Sequence, residues 1–220
     1  MIAVTLQTLT LPLQLHLLAY DSRRKRFAFD RSGASRPGWM FEYALRSSMF
    51  TELYLTGVVT DRNGGLSILA AAPVGDPLLS AAMSVAVEGR AWAGVIRSGG
   101  SGTVAGAWQQ LERDGWFARR DRRFGAPRFD VRDPDVVDAI AARVVAALEN
   151  VLREGDAEPR ALALGLIAFQ AQMPVVDTFL RHEGKRAALH SLTDCAIEPI
   201  HVLRTLILAR FDEMRRSTSG

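Results

Sequence analysis

The sequence predicts a mainly α fold, a single helical domain with two β-hairpins inserted after helices. Three observations lead there. Apolar residues recur at spacings of three and four through most of the chain, the pattern of amphipathic helices. Two such stretches end in Leu53-x-x-x-Gly57 and Leu111-x-x-x-Gly115, and each is followed by a strand–turn–strand pattern. Connections are short and composition does not shift, so residues 1–220 read as one domain.

Residues 11–20 read as a short apolar helix with Leu13, Leu17 and Leu18 at helical spacing. Residues 21–37 are polar and basic, broken by Gly33 and Pro37, and read as a loop or an exposed short hairpin. A helix follows from about residue 38 to 56, with Phe41, Ala44, Leu45, Met49 and Leu53 on one stripe. Gly57 suits the left-handed conformation that closes a helix. Val58 and Val59 open a strand, and Leu66 to Leu69 return it. Asn63-Gly64-Gly65 supplies the turn, because a two-residue hairpin turn needs positive φ at both centres.

Asp76-Pro77 starts the next helix, with Asp as cap and Pro at the first helical position. Leu78, Leu79, Ala82, Met83 and Val87 form its inward face. After the break Gly99-Gly100-Ser101-Gly102, Ser101 or Thr103 caps a helix carrying Val104, Trp108 and Leu111. The second hairpin returns at residues 128–131. Asp133-Pro134 begins a helix to about residue 152, with Val137, Ile140, Val144, Ala147, Leu148 and Val151 in register. The remainder reads as a helix over 160–171, a helical segment after Pro174 and a long helix over 194–216. The two helix-then-hairpin units match too briefly to count as a repeat.

Composition narrows the function. Apolar residues make up 48% of the chain, enough for a real core. The sequence pI is 9.5, yet the net charge is only +3, mild for a dedicated nucleic-acid binder. Cys195 is the one cysteine, which excludes an intrachain disulfide and Cys-based zinc sites, and it is expected as a small core residue. His16, His182, His190 and His201 lack metal-ligand spacing. There is no Gly-x-Ser-x-Gly elbow, and Gly100-x-Gly102 lacks the lysine of a phosphate-binding loop. The expectation is a protein that is not an enzyme and holds no cofactor or metal. The first twenty residues lack the basic start and cleavage site of a signal peptide. No run reaches the ~18 apolar residues of a spanning helix. The expected location is therefore cytoplasmic.

Three segments could carry binding. Arg23, Arg24, Lys25 and Arg26 lie beside Phe27, Phe29 and Trp39, which suits an anionic bilayer, where each cation is worth about 1 kcal/mol, or an ordinary solvated loop. Arg119, Arg120, Arg122 and Arg123 surround Asp121, with Phe124 and Phe129 after them. Over 117–129, five Arg against one Asp give +4. Such a hairpin could meet a membrane, a partner chain or a nucleic-acid backbone, or its charges could simply prevent edge pairing. The glycine-rich start of the helix at residue 103 could hold a phosphate on its backbone amides, or be a flexible linker with a cap.

Several segments also carry a family resemblance: Leu15-His-Leu-Leu-Ala-Tyr-Asp21, Tyr43-Ala-Leu-Arg46 through Glu52-Leu53 to Gly57, Val74-Gly75-Asp76-Pro77-Leu78-Leu79, Leu111-Glu-Arg-Asp-Gly115-Trp-Phe with its basic hairpin, and the apolar helix from Leu162 to Ala171. In this order and spacing they resemble the Golgi phosphoprotein 3 family, including its bacterial members. The resemblance implies a peripheral, non-catalytic membrane adaptor that binds phosphatidylinositol 4-phosphate and serves an unidentified client protein. It implies a headgroup site formed by a Trp and an Arg around the first core helix and by an Arg pair on the central helix. Arg46 matches directly. Trp39 lies two residues nearer the Arg than the family spacing, and Ser101 and Val104 stand where the pair is expected. The helix N-terminal amides, Ser101, Thr103 and Arg97 are the expected partial replacement. The basic clusters are then membrane or oligomer contacts, with homo-oligomer contact through the 117–131 hairpin. The rival class is a winged-helix DNA-binding regulator, whose grammar of helix, glycine, two strands and basic wing fits locally. Its recognition helix would offer Gln109 and Gln110 but no Arg or Lys before Arg113, poor equipment for phosphate contacts.

Overall fold

The computed structural model describes residues 9–21, 25–29, 38–70, 75–98, 102–120, 123, 128–180 and 184–218. A helix that is apolar around most of its circumference must sit inside a fold, and two helices here do. Every residue of α1 (Leu11–Leu18) is buried. In α2 (Gly38–Leu55) the expected stripe is buried, and so are the polar residues Arg46, Ser47, Ser48, Thr51 and Glu52. Around α2 pack α1, α3 (Pro77–Ser84), α7 (Pro159–Gln170) and α10 (Glu198–Thr218). The outer elements are α4 (Trp92–Arg97), α5 (Thr103–Arg113), α6 (Pro134–Glu154), α8 (Pro174–Phe179) and α9 (Lys185–Asp194). The fold is mainly α.

Three antiparallel hairpins accompany the helices among the described residues, one more than the two expected. The extra one pairs β1 (Tyr20–Asp21) with β2 (Arg26–Phe27) in the segment read as loop or hairpin, and Phe27 anchors it in the core. β3 (Val59–Arg62) pairs with β4 (Gly65–Ile68) from Val59 opposite Ile68 to Arg62 opposite Gly65. Its turn residues Asn63 and Gly64 have φ of 56° and 79°, as the Asn-Gly signal requires. Gly65 is needed for another reason. The chain around residues 89–90 closes on β4, with Gly89 N donating to Leu66 O (2.8 Å) and Leu66 N to Arg90 O (2.9 Å). A Cβ at Gly65 would stand 2.9 Å from the Gly89 carbonyl oxygen. β5 (Phe117–Arg120) pairs with β6 (Arg128–Val131).

Other boundaries differ from expectation. α3 ends at Ser84, so Val87 falls outside it and is 52% exposed instead of facing inward. The following turn leads into α4, which the sequence pattern did not reveal. Its Trp92 is 1% exposed and donates Nε1 to Asp61 Oδ1 at 2.8 Å, a buried aromatic with its one donor satisfied. Asp76 caps α3 as expected, accepting from Leu78 N and Leu79 N at 2.8 and 3.0 Å. Asp133 makes no side-chain capping bond, and the N-cap of α5 is Gly102, which has no side chain to cap with. The C-terminal helix begins at Glu198, leaving α9 separate. Between them Cys195 is exposed and is no core residue.

One polar junction joins three helices. Glu52 on α2 is 4% exposed. Its Oε2 accepts from Leu11 N at 2.8 Å, satisfying an amide of α1's first turn that has no intrahelical partner. Its Oε1 accepts from Arg160 Nη1 at 2.6 Å, and Arg160 Nη2 reaches Leu9 O at 2.8 Å. Nearby, His16 is 1% exposed among aromatic rings, with centroids 4.6 Å from Trp108, 5.2 Å from Phe41 and 5.3 Å from Phe27. Burial pushes its pKa down to about 3.

Two predictions follow from these buried groups. Glu52→Gln removes the carboxylate facing Arg160 while keeping its shape. Breaking a buried pair costs about 3–5 kcal/mol. Arg160 is 25% exposed, which reduces the expected loss. A lower urea midpoint corresponding to about 2 kcal/mol at unchanged m-value is expected. His16 titrates lower in the folded chain than in the unfolded one, so the unfolded chain takes the proton first as pH falls. Stability is unaffected by this group above its ordinary value of 6.5 and declines from there toward about 3. The steepest slope is about 1.4 kcal/mol per pH unit, and denaturation curves of His16→Leu should show a flatter acid limb over that window.

Candidate functional site

A cavity of about 410 Å³ opens between α2, α3, α4 and α5. Its walls are largely apolar, from Met49, Phe50, Leu78, Ala82 and Val95. Its polar groups are Arg46, Thr103, Gln109 and Arg113. Arg46 is held from several sides. Its Nη1 donates to Ile96 O and Arg97 O at 3.3 and 3.5 Å, and its Nε to Thr103 Oγ1 at 3.3 Å. Its Nη2 lies 3.5 Å from Glu42 Oε2. α4 ends at Arg97, where the last carbonyls have no intrahelical donors and the helix dipole is negative, so a guanidinium is well matched there. Burial lowers the Arg46 pKa, and the Glu42 carboxylate pulls it back up. Across the cavity, α5 starts at Thr103 with no side-chain cap, leaving its first-turn amides beside the same space.

The expected site residues are only partly assembled here. Arg46 and Thr103 meet at hydrogen-bond distance. Arg97 contributes its carbonyl, and its side chain is exposed. Ser101 lies outside the described residues. Trp39 does not line the cavity. Its ring packs on Tyr43 and on Phe211 of α10, at centroid distances of 5.9 and 5.3 Å, because a large apolar side chain at that end of α2 gains more by covering α10. Gln109 and Arg113 were not singled out by their sequence as parts of this site. The signal was present: Gly102, Gly106, Gln109 and Arg113 follow spacings of four, three and four, one face of a helix.

The two basic clusters, far apart in sequence, come together. Tyr20 OH donates to Phe129 O at 2.8 Å, and Phe129 N donates to Lys25 O at 3.0 Å. Lys25 Nζ pairs with Asp130 at 3.0 Å, and Arg120 pairs with the same carboxylate. These cations, Lys25 foremost, hold the Asp130 carboxyl below the usual range. Arg119, Arg123 and Arg128 are exposed on this hairpin, and Arg26 is half-buried in β2. Arg23, Arg24, Arg122 and Phe124 lie outside the described residues. The aromatics expected beside these charges face inward. Phe27 and Phe129 pack on Trp108 at 4.3 and 4.8 Å, and Phe29 stacks on Phe41 at 4.5 Å. Their apolar area is taken by the core. The same helix bears on the DNA-binding alternative, because Gln110 of α5 is 7% exposed and offers little surface for a base edge.

Residues 11–202 match the family model for Golgi phosphoprotein 3 (GPP34). The chain belongs to the Golgi phosphoprotein 3 family. The match runs from α1 into α10 and contains Arg46, Thr103, Arg113 and both basic hairpins. No curated protein matches the chain. Among the described residues of this Golgi phosphoprotein 3 family chain, no helix is long and apolar enough to cross a membrane.

Arg46 therefore has a structural task whatever else it does. Arg46→Ala leaves the Ile96 and Arg97 carbonyls without their donor and is expected to lower stability by about 2 kcal/mol. Arg113→Ala, on an exposed turn, should stay within about 0.5 kcal/mol of the parent. Urea titration of both proteins checks the contrast.

Proposed function

We propose that this chain is a peripheral membrane protein that recognises the phosphate headgroup of anionic lipid, phosphatidylinositol 4-phosphate among the candidates, as a non-catalytic adaptor for a client protein. The observation that carries it is the convergence of Arg46, Thr103 and the uncapped start of α5 on one cavity with Arg113 at its edge, in a chain of the Golgi phosphoprotein 3 family. Arg46 makes the cavity floor positive although Glu42 offsets part of that charge. The phosphate itself would lie against Arg113, the α5 amides and Thr103, with Arg97 close by. One such site binds a membrane weakly, and the exposed arginines of the β5–β6 hairpin would add electrostatic contacts of about 1 kcal/mol each. The same arginines would serve a homo-oligomer, which raises affinity through multivalency.

The test is co-sedimentation with phosphatidylcholine vesicles, alone, with phosphatidylserine, or with phosphatidylinositol 4-phosphate, each at low and physiological salt. The Arg97→Ala, Arg113→Ala double variant should bind anionic vesicles about 30-fold more weakly, since two contacts worth about 1 kcal/mol each are lost. Binding to phosphoinositide vesicles that survives physiological salt supports a headgroup site. Binding to all anionic vesicles that salt abolishes supports a surface held by charge alone. Absence of binding to every vesicle ends the membrane role.

A further inference from the structure

The Arg46 cavity is more apolar than a site for a bare headgroup needs to be. Its volume of about 410 Å³ falls in the ~300–1,000 Å³ range of small-molecule sites. Met49, Phe50, Leu78, Ala82 and Val95 form its apolar wall. A polyhydroxylated ring such as inositol buried against them would leave hydroxyls without hydrogen-bond partners, and that costs free energy. An aliphatic chain has the opposite balance and gains from the same wall.

The charge lining this cavity has one sign. Arg46 and Arg113 line it, and no Asp or Glu does. Arg46 is 6% exposed and is tied to Glu42, Thr103 and the end of α4, so its guanidinium is a fixed part of the floor. Arg113 is exposed and makes no ion pair among the described residues. Its Nε donates to Gln109 O at 3.2 Å, one turn back, which folds the side chain along the helix face that lines the cavity. Between these cations α5 contributes no bulk, because Gly102 and Gly106 both line the space. Gly106 stands inside a helix, where glycine is the poorest residue after proline. A Cβ there would meet Leu78 Cδ2 at 3.5 Å, an ordinary contact, so crowding does not call for glycine at this position. Its missing side chain leaves the cavity open.

We propose that the Arg46 cavity takes a single-chain amphiphilic phosphate, a monoalkyl or monoacyl phosphate, chain first. The chain lies against Phe50, Leu78, Ala82 and Val95, and the phosphate stays at the rim on Arg113. This rests on the headgroup reading for the phosphate and adds the place of the chain. A molecule held in a bilayer by one chain is bound there only marginally, so it exchanges readily into a protein cavity.

Isothermal titration of the full chain with glycerol phosphate, hexyl phosphate and octyl phosphate tests it, with 1-octanol as the uncharged chain. Octyl phosphate is expected to bind saturably and about tenfold more tightly than hexyl phosphate, the effect of burying two further methylenes. Glycerol phosphate and octanol should each bind at least about tenfold more weakly than octyl phosphate. Gly106→Leu fills the space beside Leu78 and should weaken octyl phosphate about tenfold or more, and leucine favours the helix over glycine. Equal affinity for all three phosphates would mean a site for the phosphate alone, which overturns the place of the chain and leaves the headgroup reading standing. Absence of octyl phosphate binding overturns the proposal whether or not vesicles are bound, and so does octanol binding as tightly as octyl phosphate. Unchanged affinity in Gly106→Leu would equally overturn it. If that variant does not fold, the hexyl and octyl comparison in the unaltered chain decides alone.

Discussion

The structure depends on α2 being buried nearly all round. A helix in that position cannot leave a charge unpaired, because an isolated ion in a low-dielectric interior costs several kcal/mol. α2 carries two buried charges, Arg46 and Glu52, and each is matched by groups from distant segments. Glu52 is matched by Arg160 and the start of α1, and Arg46 by the end of α4 and the start of α5. Both junctions satisfy backbone groups at helix ends, where intrahelical partners run out. The helices around α2 are therefore placed by hydrogen bonds at its two buried charged residues as well as by packing, and the Arg46 cavity is the space left where α3, α4 and α5 meet at one of them.

The hairpins obey a related constraint. Two basic segments nearly a hundred residues apart would repel each other if nothing intervened. Asp130 sits between Lys25 and Arg120, and below it Phe27, Phe117 and Phe129 close around Trp108. Aromatic burial supplies the attraction and one carboxylate relieves the repulsion. The result is a cationic outer surface over Phe27, Phe117 and Phe129, which point inward, so the contact these charges make with a bilayer is electrostatic and sensitive to salt.

Helical periodicity located α1, α2, α5 and α6 well, and the Asn63-Gly64 turn and the Asp76 cap were legible because each rests on local backbone chemistry. What local chemistry does not encode was missed. α4 is six residues long and held by Trp92 reaching Asp61, a tertiary contact without a sequence period. Trp39 was assigned to the site by the family resemblance, and its ring packs on Phe211 from the far end of the chain. Arg46 was singled out by the family resemblance, while its attachment to the carbonyls of α4 could not be foreseen without knowing that α4 exists.

α5 shows how one short helix can present opposite chemistry on adjacent faces. Residues 102, 106, 109 and 113 turn toward the Arg46 cavity, while 110 and 114 turn toward a second cavity. Arg113 and Asp114 are neighbours in sequence, yet one turn angle of about 100° between them sends each into a different cavity. Arg113 gains from the negative end of the helix, and Asp114 is opposed by it. Asp114 is exposed, so water screens that opposition, and the helix end divides between a cation lining the Arg46 cavity and an anion held in solvent.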